Sequence, residues 1–179
     1  MVNRVDYVRF NVRSVIIGGG IAGMVAGITM AAAAMFYAAA NGSGFWLPVR
    51  SIAATWYGAN ALVGGAGVLI VGMITHFTNS AFWGVIFGGL PLRRKSVPVM
   101  LLGGLAWGVV IWAIMSFAIM PWLNPTMYAG TVGKDPVWWF VLHLIYGGTL
   151  GVTSGPLRRF SGRWTTAEVR SYPESRRTA

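Results

Sequence analysis

The sequence contains no cysteine among its 179 residues. This absence excludes disulfide bonds, thiol catalysis and iron–sulfur ligation by this chain. Charge is also scarce, because Asp, Glu, Lys and Arg make up 10% of the residues, against about 25% in soluble globular domains. With 55% hydrophobic residues and a mean hydropathy of +0.61, the chain lacks the polar groups that cover a water-facing surface. We therefore predict a membrane protein.

The few charged residues leave four long uncharged stretches. These stretches separate Arg13 from Arg50, Arg50 from Arg93, Lys95 from Lys134, and Asp135 from Arg158. A helix needs about 20 mainly apolar residues to cross the hydrocarbon core, and each stretch exceeds that length. The pattern predicts an all-α, integral membrane four-helix bundle, with transmembrane helices at about 14–40, 62–90, 99–121 and 137–155.

The basic residues indicate how the bundle is oriented. Twelve of the 14 Lys and Arg residues lie in the N-terminal tail, the 91–98 loop or the C-terminal tail, and only Arg50 and Lys134 lie on the other side. The positive-inside rule then places both termini in the cytoplasm, and we predict a multi-pass protein of the bacterial inner membrane. The net charge of +10 follows from this topology and favours contact with anionic lipids. It does not indicate nucleic-acid binding, because the basic residues flank the predicted spans.

The two histidines begin the same sequence pattern. His76 and His143 each open His-x7-Gly-Val-x-x-Gly, and Pro-Leu-Arg-Arg follows both copies, which lie 67 positions apart. The preceding helices match more loosely, as Gly23–Met30 against Gly108–Met115. The pattern predicts a tandem, parallel repeat of a two-helix unit about an axis along the membrane normal.

This repeat defines the predicted domain organisation. We expect a single four-helix transmembrane domain at 1–160, with repeat halves at about 14–95 and 99–160. Residues 161–179 are basic and polar, which predicts a flexible cytoplasmic tail. Between the first two spans, aromatic and small polar residues alternate, and we interpret Val49–Tyr57 as a short interfacial helix on the outer surface.

The histidines are the candidate functional residues. An ionisable group within a membrane span normally faces the bundle interior, and we predict that both lie at one depth in the outer leaflet. Each imidazole could be neutral and hydrogen-bonded as part of the packing. Alternatively, His76 and His143 could ligate a metal, most naturally haem b iron, with Arg50 and Lys134 meeting the propionates. In a third hypothesis they contact a lipid or quinone head group, or relay protons.

A glycine pattern near the N-terminus resembles a nucleotide site. Gly18-x-Gly20-x-x-Gly23 fits the dinucleotide fingerprint, but no acidic residue follows at about 20 positions to bind a ribose. We therefore predict no nucleotide and assign the glycines to close helix packing. The predicted packing glycines are Gly19, Gly23, Gly27, Gly84, Gly88, Gly104, Gly108, Gly151 and Gly155.

Several short motifs resemble the YagU-like family of small bacterial inner-membrane proteins. The glycine-rich first helix, Thr75-His76 with Ser80, the second-half helix with His143 near its outer end, and Met115-Ser116-Phe117 with Met120-Pro121 and Pro125 carry the resemblance. It implies a bacterial inner-membrane protein associated with envelope or acid-stress physiology, and it supplies no catalytic residues. The chain differs from that family in its shorter first outer loop and in having no cysteine.

The sequence contains no catalytic motif and no carboxylate within the predicted spans. It thus favours a non-enzymatic accessory or structural subunit that packs laterally in a larger membrane complex, such as a respiratory or energy-transducing one. Its partners would be membrane lipids and other membrane-protein subunits, or further copies of itself. One alternative is a b-type haem electron carrier, and another is a small-solute or proton conductor, which the missing carboxylates disfavour.

Overall fold

The computed structural model describes residues 12–90 and 96–170, with side chains to residue 157. This part of the chain is almost entirely helical and contains no strand. The α-helices are α1 (Val12–Ala40), α2 (Leu47–Tyr57), α3 (Ala66–Gly89), α4 (Val97–Ala113), α5 (Met120–Leu123), α6 (Pro125–Met127) and α7 (Pro136–Arg170). A 3-10 segment (Gly58–Val63) and two π-helical segments (Ile114–Ile119 and Tyr128–Val132) complete the order.

Four segments are long and apolar enough to cross a membrane. They are Val12–Ala40, Ala66–Gly89, Val97–Leu123 and Pro136–Leu157, and all four coincide with the predicted spans to within a few residues. Many of their large apolar side chains, such as Ile74 and Phe82, lie exposed on the outside of the bundle, as expected where lipid is the solvent. The predicted all-α membrane bundle is confirmed, and these helices indicate a multi-pass membrane protein.

The neighbour order of the four long helices is α3, α1, α7, α4. Helix α1 packs along both α3 and α7, and α7 packs along α4, whereas α3 and α4 meet over only a few residues. There the Trp107 ring of α4 lies 5.9 Å from that of Trp83 on α3. A two-fold axis between the halves would make the α1–α7 and α3–α4 interfaces equivalent. The halves are therefore not arranged about the two-fold axis expected from the sequence.

Glycines let α1 and α3 approach closely. A Cβ atom added at Gly19 would lie 2.7 Å from the Gly84 carbonyl oxygen, and one at Gly23 would lie 2.9 Å from the Gly84 Cα. Gly27 faces the Ser80 side chain, and Gly88 faces the Gly19 backbone. The Gly18-x-Gly20-x-x-Gly23 motif lies inside α1 rather than at a strand-to-helix turn, and of its glycines Gly23 packs against the α3 backbone.

A similar glycine contact joins α4 and α7. A Cβ at Gly104 would lie 2.7 Å from the Gly151 Cα, and one at Gly108 would lie 3.4 Å from the Gly147 Cα. Gly147 lies at the centre of this contact, although it was not among the predicted packing glycines. Gly155 was predicted to be a packing glycine, and this prediction is wrong, because a Cβ there would meet no atom within 4 Å. The first turn of α4, at Met100, already faces Gly151, so no helix backbone is left to oppose Gly155.

Helix α2 includes the predicted helix at 49–57, but it packs into the bundle instead of only resting on its surface. Val49, Ser51 and Ala53 are buried, and α2 packs mainly against α3. Gly72 of α3 makes this possible, because an added Cβ there would overlap the backbone of Val49. The preceding turn uses Gly42 and Gly44, whose φ angles of +71° and +94° favour glycine.

Two prolines, Pro121 and Pro156, lie within the helices of the second half and have different effects. After α4 the chain widens into the π-helical segment Ile114–Ile119, where the Met120 N–H donates to the Met115 carbonyl five residues earlier. Pro121 follows at once, and a proline has no N–H to continue the regular ladder. Pro156, which we expected to end the last helix, lies inside α7. A single missing hydrogen bond at Pro156 does not end a helix that is otherwise continuous.

Helix α7 therefore extends beyond the predicted span. It has 35 residues and a length of ~52 Å, well above the ~30 Å hydrocarbon core. Its last ten residues fall within the predicted tail, 161–179, and are helical in backbone; residues 171–179 lie outside the described part, and the flexibility of the tail stays a prediction. The basic residues Arg93, Arg94 and Lys95 also lie outside the described residues.

Candidate functional site

A cavity of about 560 Å³ lies between the helices, towards the end of the bundle that carries the 41–46 and 124–135 loops. We call this end the loop end. Every helix of the bundle contributes to the cavity wall, including α2 and the π-helical segment at Ile114–Ile119. The volume falls in the range of small-molecule sites, about 300–1,000 Å³.

His76 and His143 both line this cavity. The His76 Nε2 atom lies 2.9 Å from the Gly27 carbonyl oxygen of α1, so this imidazole joins α3 to α1. The His143 Nδ1 atom lies 2.8 Å from the Trp139 carbonyl oxygen in its own helix, and its ring packs against the Trp139 indole. The prediction that both histidines face the bundle interior is confirmed.

Tyr146 closes the inner end of the cavity. Its hydroxyl donates a 2.6 Å hydrogen bond to the Ser80 carbonyl oxygen, and the side chain is 3% exposed. This bond joins α7 to α3 one turn below the histidines. Further towards the other end, the Thr29 hydroxyl donates to the Thr149 hydroxyl at 3.1 Å and joins α1 to α7. These two contacts join α7 to α3 and α1 to α7 on the side of the histidines away from the loop end.

The wall of the cavity is mainly apolar and rich in methionine. Six of the nine methionines in the chain line it: Met30, Met35, Met73, Met115, Met120 and Met127. Methionine side chains are flexible and polarisable, and they adapt to ligands of irregular shape. A mainly apolar wall with a few polar groups is the usual composition of a small-molecule site.

Asn124 holds the wall formed by α2. Its side chain is 0% exposed, and its amide nitrogen donates to the Ser51 carbonyl at 2.8 Å and to the Thr55 hydroxyl at 2.9 Å. Its amide oxygen accepts from the Met127 N–H at 2.9 Å and caps the short helix α6. One side chain thus joins α2 to the chain segment between α5 and α6.

The mouth of the cavity at the loop end carries the charged groups. Asp135 caps α7, because its carboxylate accepts a 3.0 Å hydrogen bond from the Trp138 N–H. The Tyr37 hydroxyl donates to the same carboxylate, and the Tyr37 ring stacks on Trp138 with centroids 4.2 Å apart. Lys134 is exposed beside them. This contact holds the ends of α1 and α7 together at the mouth.

The contact at the mouth should weaken in acid. The hydrogen bond from Tyr37, followed by that from the Trp138 N–H, holds the pKa of Asp135 below its ordinary value. A lowered folded-state pKa adds stability above the unfolded pKa of about 3.9, and this stability is lost as the pH falls through the folded-state pKa. We expect Tyr37→Phe to lower the melting temperature by a few degrees at pH 7 and by less at pH 3.

Melting curves of both proteins between pH 7 and pH 3 measure this difference. Tyr57→Phe is the matched control, because Tyr57 is exposed and its hydroxyl makes no hydrogen bond within the described residues. The control should show no such pH-dependent difference. If the effect of Tyr37→Phe were equally large at pH 3, the carboxylate of Asp135 would not be its partner.

The structure separates the two basic residues that the sequence grouped with the histidines. Lys134 lines the cavity, whereas Arg50 does not. Arg50 lies on α2 and is half-buried, and its Nε atom is buried without a hydrogen-bond partner. The pair expected to meet haem propionates is therefore not gathered around one ligand site, because α2 turns Arg50 away from the cavity.

The cavity also contains groups that sequence reasoning did not assign to a site. Tyr146 was not singled out at all, although it follows His143 by three positions and shares its helix face. Asn79 follows His76 by three positions in the same way, and it also lines the cavity. Within the described residues, no group of three or more His, Cys, Asp or Glu side chains is placed to hold a metal.

Fold and cavity together define the class: a multi-pass helical membrane protein with an interior, methionine-rich cavity that contains two imidazoles. Comparisons with protein-family models, with curated proteins and with solved structures find no match for this chain. The cavity is therefore the feature of this protein that bears on its function.

Proposed function

We propose that this is a non-enzymatic membrane protein that binds one small, largely apolar molecule in the cavity between its helices. The observation that carries the proposal is a cavity of about 560 Å³ with a methionine-rich wall and imidazoles at its inner end. Packed interiors have few voids larger than a water molecule, so a cavity of this size is not ordinary packing. Its charged mouth, with one Lys and one Asp, does not select strongly for the charge of the ligand.

The proposal is tested by measuring binding of 4-hexylphenol to the protein in lipid nanodiscs. Equilibrium dialysis against protein-free nanodiscs subtracts partitioning into the lipid. We expect saturable binding to the wild type that Ala34→Phe weakens by about tenfold or more, because Ala34 lines the cavity and the added ring occupies it. Ala33→Phe is the matched control, since its neighbouring position on α1 lies outside the wall.

Two results would contradict the proposal. The first is an absence of saturable binding to the wild type. The second is equal binding to the wild type and to Ala34→Phe, which would place the molecule outside the cavity. A reduced-minus-oxidised haem band in the purified protein would favour the electron-carrier alternative instead.

The haem alternative is favoured by the presence of both imidazoles on one cavity wall, but it has a geometric requirement. The His143 Nε2 atom has no hydrogen-bond partner among the residues that the structure describes, as a ligand to iron requires. In His76 the Nε2 atom is bonded to the Gly27 carbonyl, so only Nδ1 is free. Binding of iron by the Nε2 atoms of both rings would first require the hydrogen bond between His76 and the Gly27 carbonyl to break.

We further propose that the bundle arose by duplication of a helix pair, with a register that differs from the alignment expected from sequence. Gly23 meets the backbone of Ser80 and Gly84, and Gly104 meets Gly147 and Gly151 in the same way. Gly23 and Gly104 lie 81 positions apart, whereas the sequence alignment used an offset of 85. The second helices keep their offset of 67, so the proposed correction is one helical turn in the first helices.

Orientation, membrane and partners stay predictions. The asymmetry of basic residues supports a cytoplasmic location for both termini in a bacterial inner membrane, with the cavity mouth facing outwards. The exposed apolar faces of the long helices support lateral association as an accessory subunit. Lipid alone could also cover these faces.

A further inference from the structure

Each histidine in the cavity has one ring nitrogen engaged by a backbone carbonyl. A carbonyl oxygen can only accept a hydrogen bond, so the bonded nitrogen, Nε2 of His76 or Nδ1 of His143, carries the hydrogen. The second ring nitrogen is then Nδ1 in His76 and Nε2 in His143. Neither of these atoms has a hydrogen-bond partner within the described part of the chain.

Both imidazoles are best described as neutral. Among the described residues, the only carboxylate on the cavity wall is that of Asp135, which lies at the exposed mouth and already accepts hydrogen bonds from Tyr37 and the Trp138 N–H. An imidazolium at the inner end would be a buried charge without a counter-charge, which is costly. Each free nitrogen therefore carries a lone pair and is a hydrogen-bond acceptor on a side chain that lines the cavity.

A complementary donor lies beside them. Asn79 follows His76 by three positions on the same face of α3, is half-buried and lines the cavity. Its amide makes no hydrogen bond within the described residues, so its N–H groups are available to a ligand. The inner end of the cavity thus combines imidazole acceptors with an amide donor in an otherwise apolar setting.

We infer that the molecule bound in this cavity has an apolar body and one neutral hydroxyl group, as in a lipophilic alcohol or phenol. The hydroxyl donates to Nδ1 of His76 or Nε2 of His143, and its oxygen accepts from the amide of Asn79. The apolar body contacts the methionine-rich wall. This inference rests on the proposed binding function and specifies the chemical class of the ligand.

Other polar groups fit this arrangement less well. A ketone, ether or carboxylate presents lone pairs to the imidazole lone pairs and leaves the acceptors unsatisfied, which disfavours binding. A cationic amine would donate, but it would be buried without a carboxylate to balance its charge. A hydroxyl group can donate to one imidazole and accept from the Asn79 amide at the same time, and it carries no charge.

The test compares 4-hexylphenol with its methyl ether, 4-hexylanisole, by equilibrium dialysis with the nanodisc-embedded protein. The two probes share the apolar body, and the ether cannot donate. We expect the phenol to bind about tenfold more tightly than the ether, which is the effect of one well-formed hydrogen bond. His143→Phe and Asn79→Leu should each reduce this ratio, and Asn79→Leu breaks no hydrogen bond between helices in the described part of the chain.

The possible outcomes distinguish this inference from the function on which it rests. Equal, saturable binding of both probes to the wild type would overturn the hydroxyl specificity and leave the binding function intact. No saturable binding of either probe would contradict the binding function itself. A phenol preference that both variants retain in full would overturn the assignment to His143 and Asn79.

Discussion

Gly147→Ala should separate α4 from α7 and lower the free energy of unfolding by about 2–3 kcal/mol, the usual cost of overpacking a close contact. An added Cβ would lie 2.9 Å from the Gly108 Cα and would also overlap the Gly104 carbonyl. Both neighbours are backbone atoms of a packed helix, so no rotamer change can make room. Unfolding of the purified protein in mixed detergent micelles, followed by circular dichroism, measures the loss.

Gly155→Ala is the matched control on the same helix. Gly147 and Gly155 belong to one series of small residues with a four-residue spacing, but an added Cβ at Gly155 meets nothing within 4 Å. Alanine there should leave stability unchanged or raise it by about 0.5–1 kcal/mol through its higher helix propensity. If both substitutions destabilised the protein equally, the α4–α7 contact would not follow the glycine geometry described above.

The number and type of the long helices could be predicted because each membrane span must meet its own requirement. A segment that crosses the hydrocarbon core needs about 20 apolar residues whatever its neighbours are, and hydropathy records this. Which of the long helices pack against each other could not be predicted. Small-residue patterns occur on all four of them and do not indicate which helix each pattern contacts. For the same reason the sequence pattern included Gly155 and missed Gly147.

The interior location of His76 and His143 could also be predicted, since ionisable groups avoid lipid. The cavity around them could not be. Its wall depends on α2, which Gly72 allows to pack against α3, and on the π-helical turn before Pro121. Both are tertiary features without a local sequence signal. Arg50 illustrates the consequence, because its basic character suggested a ligand contact that the position of α2 does not permit.

Asn124→Leu should give the second large effect, a loss of about 3 kcal/mol of stability together with loss of 4-hexylphenol binding. Leucine has a similar volume but makes no hydrogen bonds, so the Met127 N–H would be buried without a partner, and the Ser51 carbonyl and the Thr55 hydroxyl would each lose a bond from Asn124. Each buried unsatisfied group costs about 1–3 kcal/mol. Because Asn124 fixes α2, which forms part of the cavity wall, the cavity should lose its shape even where the four long helices still pack.

Asn60→Leu is the matched control, because Asn60 is exposed and its side chain makes no hydrogen bond within the described residues. Its stability and its 4-hexylphenol binding should match the wild type, measured by unfolding in mixed micelles and by equilibrium dialysis. The decisive comparison is made below the melting temperature of Asn124→Leu, where the long helices are intact by circular dichroism. Unchanged binding of the phenol under that condition would contradict the prediction. It would mean that the part of the cavity wall formed by α2 does not depend on Asn124.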